Sequence, residues 1–119
     1  MDAASSPHYP VDIADVRRHY DHLSFLYRFF WGEHLHHGYF EANESPQIAQ
    51  IRLMERLAER AVIPDGARVL DIGCGLGGSA FWLAEKFGCD VTGMTISPVQ
   101  ARMACKKSAA RGLRNRVSI

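Results

Sequence analysis

Residues 68–78 read RVLDIGCGLGG, and this stretch decides the fold. It joins a short apolar strand to a helix through a glycine-rich turn, with the carboxylate of Asp71 at the end of the strand. Glycine is needed in such a turn because the backbone adopts conformations that a Cβ atom disfavours and comes close to a bound molecule. Gly73, Gly75 and Gly78 also satisfy the dinucleotide-binding spacing G-x-G-x-x-G. The stretch therefore predicts a turn that holds a nucleotide-like ligand.

The sequence on both sides of this turn predicts alternating helices and strands, and hence a right-handed parallel sheet with helices on its faces. The first strand reads as buried on both of its faces. Ser97, Pro98 and Gln100 predict a capping box at the start of the last helix. The expected helices are 11–31 (as one or two), 45–62, 77 or 78 to 87, and 97–110, and the expected strands are 67–72, 90–96 and 116–119.

Composition narrows the functional classes. The chain has 119 residues and a net charge of +1, which gives no overall argument for nucleic acid or a membrane. No acidic residue follows Asp90, and the basic residues there are expected to form a solvated helix face, because no aromatic residue interleaves with them. Those basic residues are Arg102, Lys106, Lys107, Arg111, Arg114 and Arg116.

Cysteine usage and hydropathy indicate a cytoplasmic protein. Cys74, Cys89 and Cys105 form neither a pair pattern nor a C-x-x-C motif, which favours a reducing compartment. The sequence shows no basic-then-apolar leader and no apolar run near eighteen residues, so neither export nor a membrane span is expected.

The end of the second strand discriminates between nucleotide cofactors. Nicotinamide enzymes and many methyltransferases place an acidic residue there, about twenty residues past the glycines, to bind the ribose hydroxyls. Residues 91–100 read VTGMTISPVQ and contain no acid. Asp71, two residues before the first glycine, also stands where nicotinamide-binding turns carry an apolar residue. The sequence therefore disfavours a dehydrogenase.

Four segments resemble the N-terminal half of the γ-tocopherol methyltransferases, which are class I S-adenosylmethionine-dependent methyltransferases. Sugar O-methyltransferases of antibiotic pathways and cyclopropane-fatty-acid synthases are similar at greater distance. The resemblance spans roughly residues 19–119, and its most specific parts are residues 31–39 and 93–100. The segments are Tyr20-Asp21, WGEHLHHGY at 31–39, residues 69–78, and GMTISPVQ at 93–100.

This resemblance implies the N-terminal part of a Rossmann-like α/β methyltransferase fold with S-adenosylmethionine as cofactor. Residues 1–10 are expected to be disordered, residues 11–45 to form lid helices and a loop, and residues 46–119 to form a partial cofactor-binding domain. The complete fold needs more strands than the sequence provides before residue 119, so the chain is expected to be truncated.

The resemblance and the position of the turn imply ten cofactor-binding residues. Ligands of open α/β sheets bind beyond the carboxyl ends of the strands. The backbone of Gly73 and Gly75 would approach the methionyl part, and Asp71 would orient its ammonium; the alternative is that Asp71 caps the next helix. By resemblance, Thr95, Ile96 and Gln100 would contact the adenosine, while Tyr20 and the His36-His37-Gly38 turn would close over the methionyl end.

Three features have competing interpretations. Glu33, His34, His36 and His37 could bind a metal, line the cofactor lid or pack in a loop. The aromatic residues between positions 25 and 31 could pack in the core or form the wall of an apolar substrate pocket. Cys74 has no activating neighbour in the sequence and is expected to fill space.

The function expected from these features is methyl transfer to a small, apolar or amphipathic acceptor. In-line displacement at a sulfonium depends largely on alignment, because the leaving sulfide is already activated by its charge. The general base for a hydroxyl acceptor is expected beyond residue 119. The alternatives are a non-catalytic fragment that self-associates and a nicotinamide-dependent oxidoreductase.

Overall fold

The computed structural model describes residues 11–31 and 36–119, and the expected disorder of residues 1–10 lies outside this range. The order of helices and strands agrees with the sequence pattern, and residues 11–31 contribute one helix. The elements are α1 (Ile13–Trp31), α2 (Pro46–Ala61), β1 (Arg68–Ile72), α3 (Gly78–Phe87), β2 (Asp90–Met94), α4 (Pro98–Ala110) and β3 (Val117–Ser118).

Helix α2 begins and ends at capping residues. The Ser45 hydroxyl accepts a hydrogen bond from the backbone N–H of Ile48 at 3.4 Å, and Pro46 occupies the first turn, where its missing N–H costs nothing. At the other end, Val62 adopts the left-handed conformation with a φ of 51°, and its N–H reaches the carbonyls of Ala58 and Glu59. The predicted boundaries of this helix are therefore confirmed.

The three strands form a parallel sheet in the order β1-β2-β3. The register aligns Val69 with Val91, and Val91 with Val117, in one row across the sheet. Since side chains alternate along a strand, this row lies on a single face. The predicted parallel α/β architecture is confirmed.

Helices α3 and α4 cover that face. Consecutive parallel strands joined by right-handed crossovers in one direction place their connecting helices on the same side of the sheet. Phe81 of α3 and Ala104 of α4 are fully buried, and they belong to one hydrophobic core with Val91 and Val117. We call this side, with its row Val69, Val91 and Val117, the covered face.

The opposite side of the sheet is exposed, and we call it the bare face. Leu70, Ile72 and Met94 point to this side and are 57%, 77% and 54% exposed. The expectation that the first strand is buried on both faces is therefore wrong for the described residues. The apolar run in β1 is long enough for a two-sided strand, but both crossover helices lie on the other side.

Within residues 11–31 and 36–119, no helix is both long and apolar enough to cross a membrane.

Candidate functional site at the carboxyl edge of the sheet

The glycine turn follows β1 in left-handed backbone conformations. Gly73, Gly75 and Gly77 have φ values of 79°, 56° and 84°, which residues with a Cβ atom rarely adopt. The N–H groups of Gly73 and Cys74 both donate to the carbonyl of Met94 at 2.8 Å. The turn is thereby tied to the end of β2, so the carboxyl ends of the two strands form one edge.

A cavity of about 430 Å³ lies at this edge. Its volume is within the range of about 300–1,000 Å³ that is usual for small-molecule sites. Six of the ten residues expected to bind the cofactor line it, together with Ile72 and Met94. Those six residues are Tyr20, Gly73, Gly75, Thr95, Ile96 and Gln100.

Ile72 and Met94 are not among the ten residues predicted to bind the cofactor. They are paired in the strand register and end β1 and β2 on the bare face. The available signal was their position: a residue that ends a parallel strand beside a glycine turn borders the ligand edge of the sheet.

Hydrogen bonds hold Thr95 and Gln100 together. The Thr95 hydroxyl donates to the side-chain carbonyl of Gln100 at 2.8 Å and accepts from the backbone N–H of Ser97 at 3.2 Å. Ser97 caps α4 by accepting from the backbone N–H of Gln100 at 3.1 Å. The Ser97 cap is confirmed, but the expected return bond from the Gln100 side chain to the Ser97 N–H is wrong. Thr95 takes this bond because its hydroxyl lies closer along the chain.

The Gln100 amide nitrogen is placed to donate into the cavity. Gln100 is 3% exposed and lines the cavity, and among the described residues its side chain is held by the bond that its carbonyl accepts from Thr95. Because its carbonyl is held by Thr95, the orientation of the amide is determined, and its donors are left for a ligand.

Asp71 ends up half-buried on the covered face, next to the glycine turn. Burial raises the pKa of its carboxyl group, while the charge of His36 acts in the opposite direction. Its Oδ2 atom is buried without a hydrogen-bond partner among the described residues. Helix α3 has Gly77 as its N-cap and no side-chain capping bond, so Asp71 does not cap the helix. A buried carboxylate oxygen without a donor fits a cationic or N–H-bearing ligand group.

The segment from His36 to Tyr39 lies on α2 instead of lining the cavity. The His36 carbonyl accepts from the Gln50 side chain at 3.0 Å, and the Tyr39 N–H donates to the Ala49 carbonyl at 2.8 Å. A Cβ atom on Gly38 would lie 2.4 Å from the Ala49 Cβ. Gly38 therefore permits close packing on α2, and of this turn His36 is the residue whose charge reaches Asp71.

The remaining alternatives can be compared with the described residues. No group of three metal-ligating side chains occurs in residues 11–31 and 36–119, while Glu33 and His34 lie outside them.

Cys74 is buried, and burial followed by the charge of Asp71 raises the pKa of its thiol to about 11. This fits the expected space-filling role. Phe25 and Phe29 are exposed on α1, at 74% and 78%.

The fold and the site define an α/β protein of the Rossmann-like methyltransferase class. Residues 9–119 match the family profile described as mycolic acid cyclopropane synthetase, and the chain belongs to this family. The resemblance seen in the sequence is therefore confirmed at the level of the family.

Known proteins share sequence and structure with the chain. The chloroplastic tocopherol O-methyltransferase of Arabidopsis thaliana is 37% identical over 116 residues, covering 87% of this chain and 33% of that protein. The crystal structure of the [4+2]-cyclase SpnF has a TM-score of 0.83 and 37% identity, over 91% of this chain and 41% of that one. A mycolic acid cyclopropane synthase complexed with SAH and CTAB has a TM-score of 0.74 and 29% identity, over 90% and 37% of the two chains.

The chain spans about a third of the length of the curated relative from Arabidopsis.

Proposed function

We propose that this chain is the cofactor-binding part of an S-adenosylmethionine-dependent methyltransferase that acts on a small, apolar or amphipathic acceptor. The observation that carries the proposal is the cavity of about 430 Å³ that the glycine turn and the segment after β2 line together. The cavity lies at the carboxyl edge of a parallel sheet, where ligands of open α/β folds bind. The solved cyclopropane synthase complexed with SAH supports the choice of cofactor.

The adenosine end is assigned to the segment after β2. A ribose offers hydroxyl oxygens as acceptors, and the Gln100 amide nitrogen has two N–H donors at the cavity. Thr95 holds this amide, and Ile96, which is 50% exposed, offers an apolar surface for the adenine. This arrangement replaces the ribose-binding carboxylate of nicotinamide enzymes.

The methionyl end is assigned to the turn after β1. Gly73 and Gly75 let the backbone line the cavity, and Asp71 supplies a carboxylate next to the turn for the ammonium group. His36 is placed near Asp71, and Tyr20 closes the cavity from α1. We also propose His37 and Gly38 as lid residues, although neither lines the cavity; Gly38 packs against Ala49 of α2.

The bound cofactor supplies a methyl group that is activated by the positive charge of its sulfonium. The protein's own contribution is alignment, because a displacement of this kind requires the acceptor atom, the methyl carbon and the sulfur in one line. Gln100 and Asp71 would hold the two ends of the cofactor. Ile72, Met94 and Ile96 would exclude water beside it, since their apolar side chains line the cavity.

An apolar or amphipathic acceptor is supported by the Arabidopsis relative, whose name specifies tocopherol as its substrate. The bare face offers a further apolar side chain at Leu70, two residues before Ile72, which lines the cavity.

Calorimetry with S-adenosylhomocysteine and with NAD tests the cofactor. We expect binding of the sulfur nucleotide with a dissociation constant on the order of micromolar and no binding of NAD. Gln100→Ala combined with Thr95→Val should weaken binding about tenfold or more, since two ligand-facing positions are lost. Asp90→Asn is the matched control, because Asp90 starts β2 at the edge away from the cavity. Binding of NAD alone, or an equal loss in the Asp90 variant, would contradict the proposal.

Ring formation is a second candidate reaction, because the structure with a TM-score of 0.83 is a [4+2]-cyclase. The two reactions differ in whether the cofactor is consumed. Release of S-adenosylhomocysteine in proportion to product indicates methyl transfer, and product without such release indicates cyclisation.

The domain division and the assembly are further proposals. We assign residues 11–45 to a lid and residues 46–119 to the cofactor-binding unit. Among the described residues β1 pairs only with β2, so its other edge is open to a second copy of this chain. Light scattering of the 119-residue chain should show self-association that increases with protein concentration; a monomer mass at every concentration would contradict this.

We also propose a reducing, cytoplasmic compartment, because Cys74, Cys89 and Cys105 are all free thiols. The Arabidopsis relative is chloroplastic. Fractionation of cells that express the native gene decides between the two compartments.

A further inference from the structure

Asp21 joins two elements that are far apart in the chain. It lies on α1, and its carboxylate accepts a hydrogen bond from the hydroxyl of Ser97, seventy-six residues later. Ser97 is the N-cap of α4 and is completely buried. Asp21 belongs to the Tyr20-Asp21 segment of the sequence resemblance, which implies no role for it.

Further hydrogen bonds connect the Asp21–Ser97 hydrogen bond to residues that line the cavity. The Ser97 hydroxyl donates to Asp21 and accepts from the backbone N–H of Gln100 at 3.1 Å. The Ser97 N–H donates to the Thr95 hydroxyl at 3.2 Å. The Thr95 hydroxyl in turn donates to the side-chain carbonyl of Gln100 at 2.8 Å. Thr95 and Gln100 line the cavity, and so does Tyr20, the residue before Asp21.

Electrostatic attraction strengthens the contact between Asp21 and the N-terminus of α4. The positive end of a helix dipole attracts an anion, and the Asp21 carboxylate lies at the N-terminus of α4. The hydrogen bond from Ser97 is the largest cause that lowers the pKa of Asp21, and the Val99 N–H, Arg17 and Arg102 lower it further, against a rise from burial. The carboxylate is therefore negatively charged at neutral pH, when it can bind the helix terminus.

We propose that Asp21 is a positioning residue that latches α1 onto the N-terminus of α4 and so holds Tyr20 over the bound cofactor. This rests on the proposed function, since it assigns a cofactor to the cavity. Asp21 does not line the cavity and acts through Ser97 and Tyr20. Because the latch joins the lid helix to the same segment that holds Gln100, opening of α1 and release of the cofactor are coupled.

The test compares Asp21→Ala and Asp21→Asn with Asp15→Asn. Asp15 is the matched control because it is on the same helix, is exposed and pairs with Arg18 instead of α4. Hydrogen exchange measures the opening of α1, and stopped-flow displacement measures the dissociation rate of S-adenosylhomocysteine. The full chain is used for every variant.

Asp21→Ala should speed exchange in α1, leave exchange in β2 and α3 unchanged, and raise the dissociation rate about tenfold. Asp21→Asn keeps an acceptor for Ser97 but loses the charge, so its effect should be smaller. Asp15→Asn should stay within about twofold of the wild type. In the wild type, the ligand should in turn slow exchange in α1.

The possible failures are distinguishable. A wild-type chain that does not bind S-adenosylhomocysteine would overturn the proposed function. Binding by the wild type with an unchanged dissociation rate in Asp21→Ala would overturn the latch alone, and would show that the Asp21–Ser97 bond is only a structural tie. Faster exchange throughout β2 and α3 in Asp21→Ala would also overturn the latch, because the effect would then be global unfolding.

Discussion

The two faces of the small sheet are built from the same strands but have opposite environments. On the covered face, Val91 and Val117 are 2% and 4% exposed under α3 and α4. On the bare face, Leu70 and Ile72 are 57% and 77% exposed. Apolar side chains thus occur on both faces, while packing is present on one. An apolar residue in a strand therefore indicates that its side of the sheet is suited to burial. It does not indicate whether a helix or another chain covers that side.

Replacement of a core residue on the covered face should have the largest effect. Phe81 is fully buried in α3, and Phe81→Ala removes its packing and leaves a cavity. We expect a loss of about 3–5 kcal/mol in the free energy of unfolding, measured by urea denaturation.

Ile72→Ala on the bare face is the matched comparison for Phe81→Ala. Because Ile72 is mostly exposed, we expect a change within about 0.5 kcal/mol. A loss of several kcal/mol at Ile72 would show that the bare face is covered in solution, and a loss that depends on protein concentration would identify a second copy as the cover.

Asp71→Asn should have an intermediate effect on the free energy of unfolding, with a size that depends on pH. Burial raises the pKa of Asp71 in the folded state, so the folded protein binds this proton more strongly than the unfolded chain. The protonated carboxyl group therefore stabilises the folded protein at pH values below the pKa that Asp71 has in the unfolded chain. This stabilisation is lost as the pH rises through the pKa of Asp71 in the folded state. At pH 7 the substitution should therefore raise the free energy of unfolding by less than about 1 kcal/mol, since the group is only half-buried.

Urea denaturation of the Asp71→Asn variant at pH 7 and near pH 4 measures this dependence. The gain should shrink at the lower pH, while binding of S-adenosylhomocysteine at pH 7 should weaken. Asp90→Asn on the bare face is the control, because Asp90 is exposed and its pair with Arg116 at 3.4 Å contributes little. A destabilised Asp71 variant at pH 7 would contradict the argument from burial.

Thiol labelling compares a buried and an exposed cysteine without substituting either, so it should perturb the fold least. Cys74 is buried on the covered face, where a Cβ atom on Gly93 would lie 2.9 Å from its sulfur, and its pKa is raised to about 11. Cys105 on α4 is exposed. At pH 8 iodoacetamide should modify Cys105 at least about 100-fold faster, because the reactive thiolate of Cys74 is scarce. Fast labelling that persists in Cys105→Ser would contradict the covered position of Cys74.

The elements of the fold could be predicted from short segments of sequence. Ser45 and Ser97 cap their helices as expected, and the strands and helices on both sides of the glycine turn begin and end close to the predicted residues. These features depend on hydrogen bonds and backbone conformations within a few residues, so a local pattern carries the information.

The candidate site was only partly predictable. The two segments that follow β1 and β2 meet at one cavity, as the topology of a parallel sheet requires. The contact of Gly38 with Ala49 and the place of His36 near Asp71 were not foreseen, since they depend on how a loop lies on a helix. The assignment of all these residues to the cofactor stays a prediction.

The sequence by itself determined the glycine turn, the caps and the alternation of helices and strands, because steric limits and hydrogen bonds act between near neighbours in the chain. Only the tertiary structure decided which face of the sheet is covered and that Asp21 reaches Ser97. These outcomes follow from the direction of the crossovers and from the packing of α1 against α4. A contact across seventy-six residues has no local pattern, because it forms only after the helices have packed.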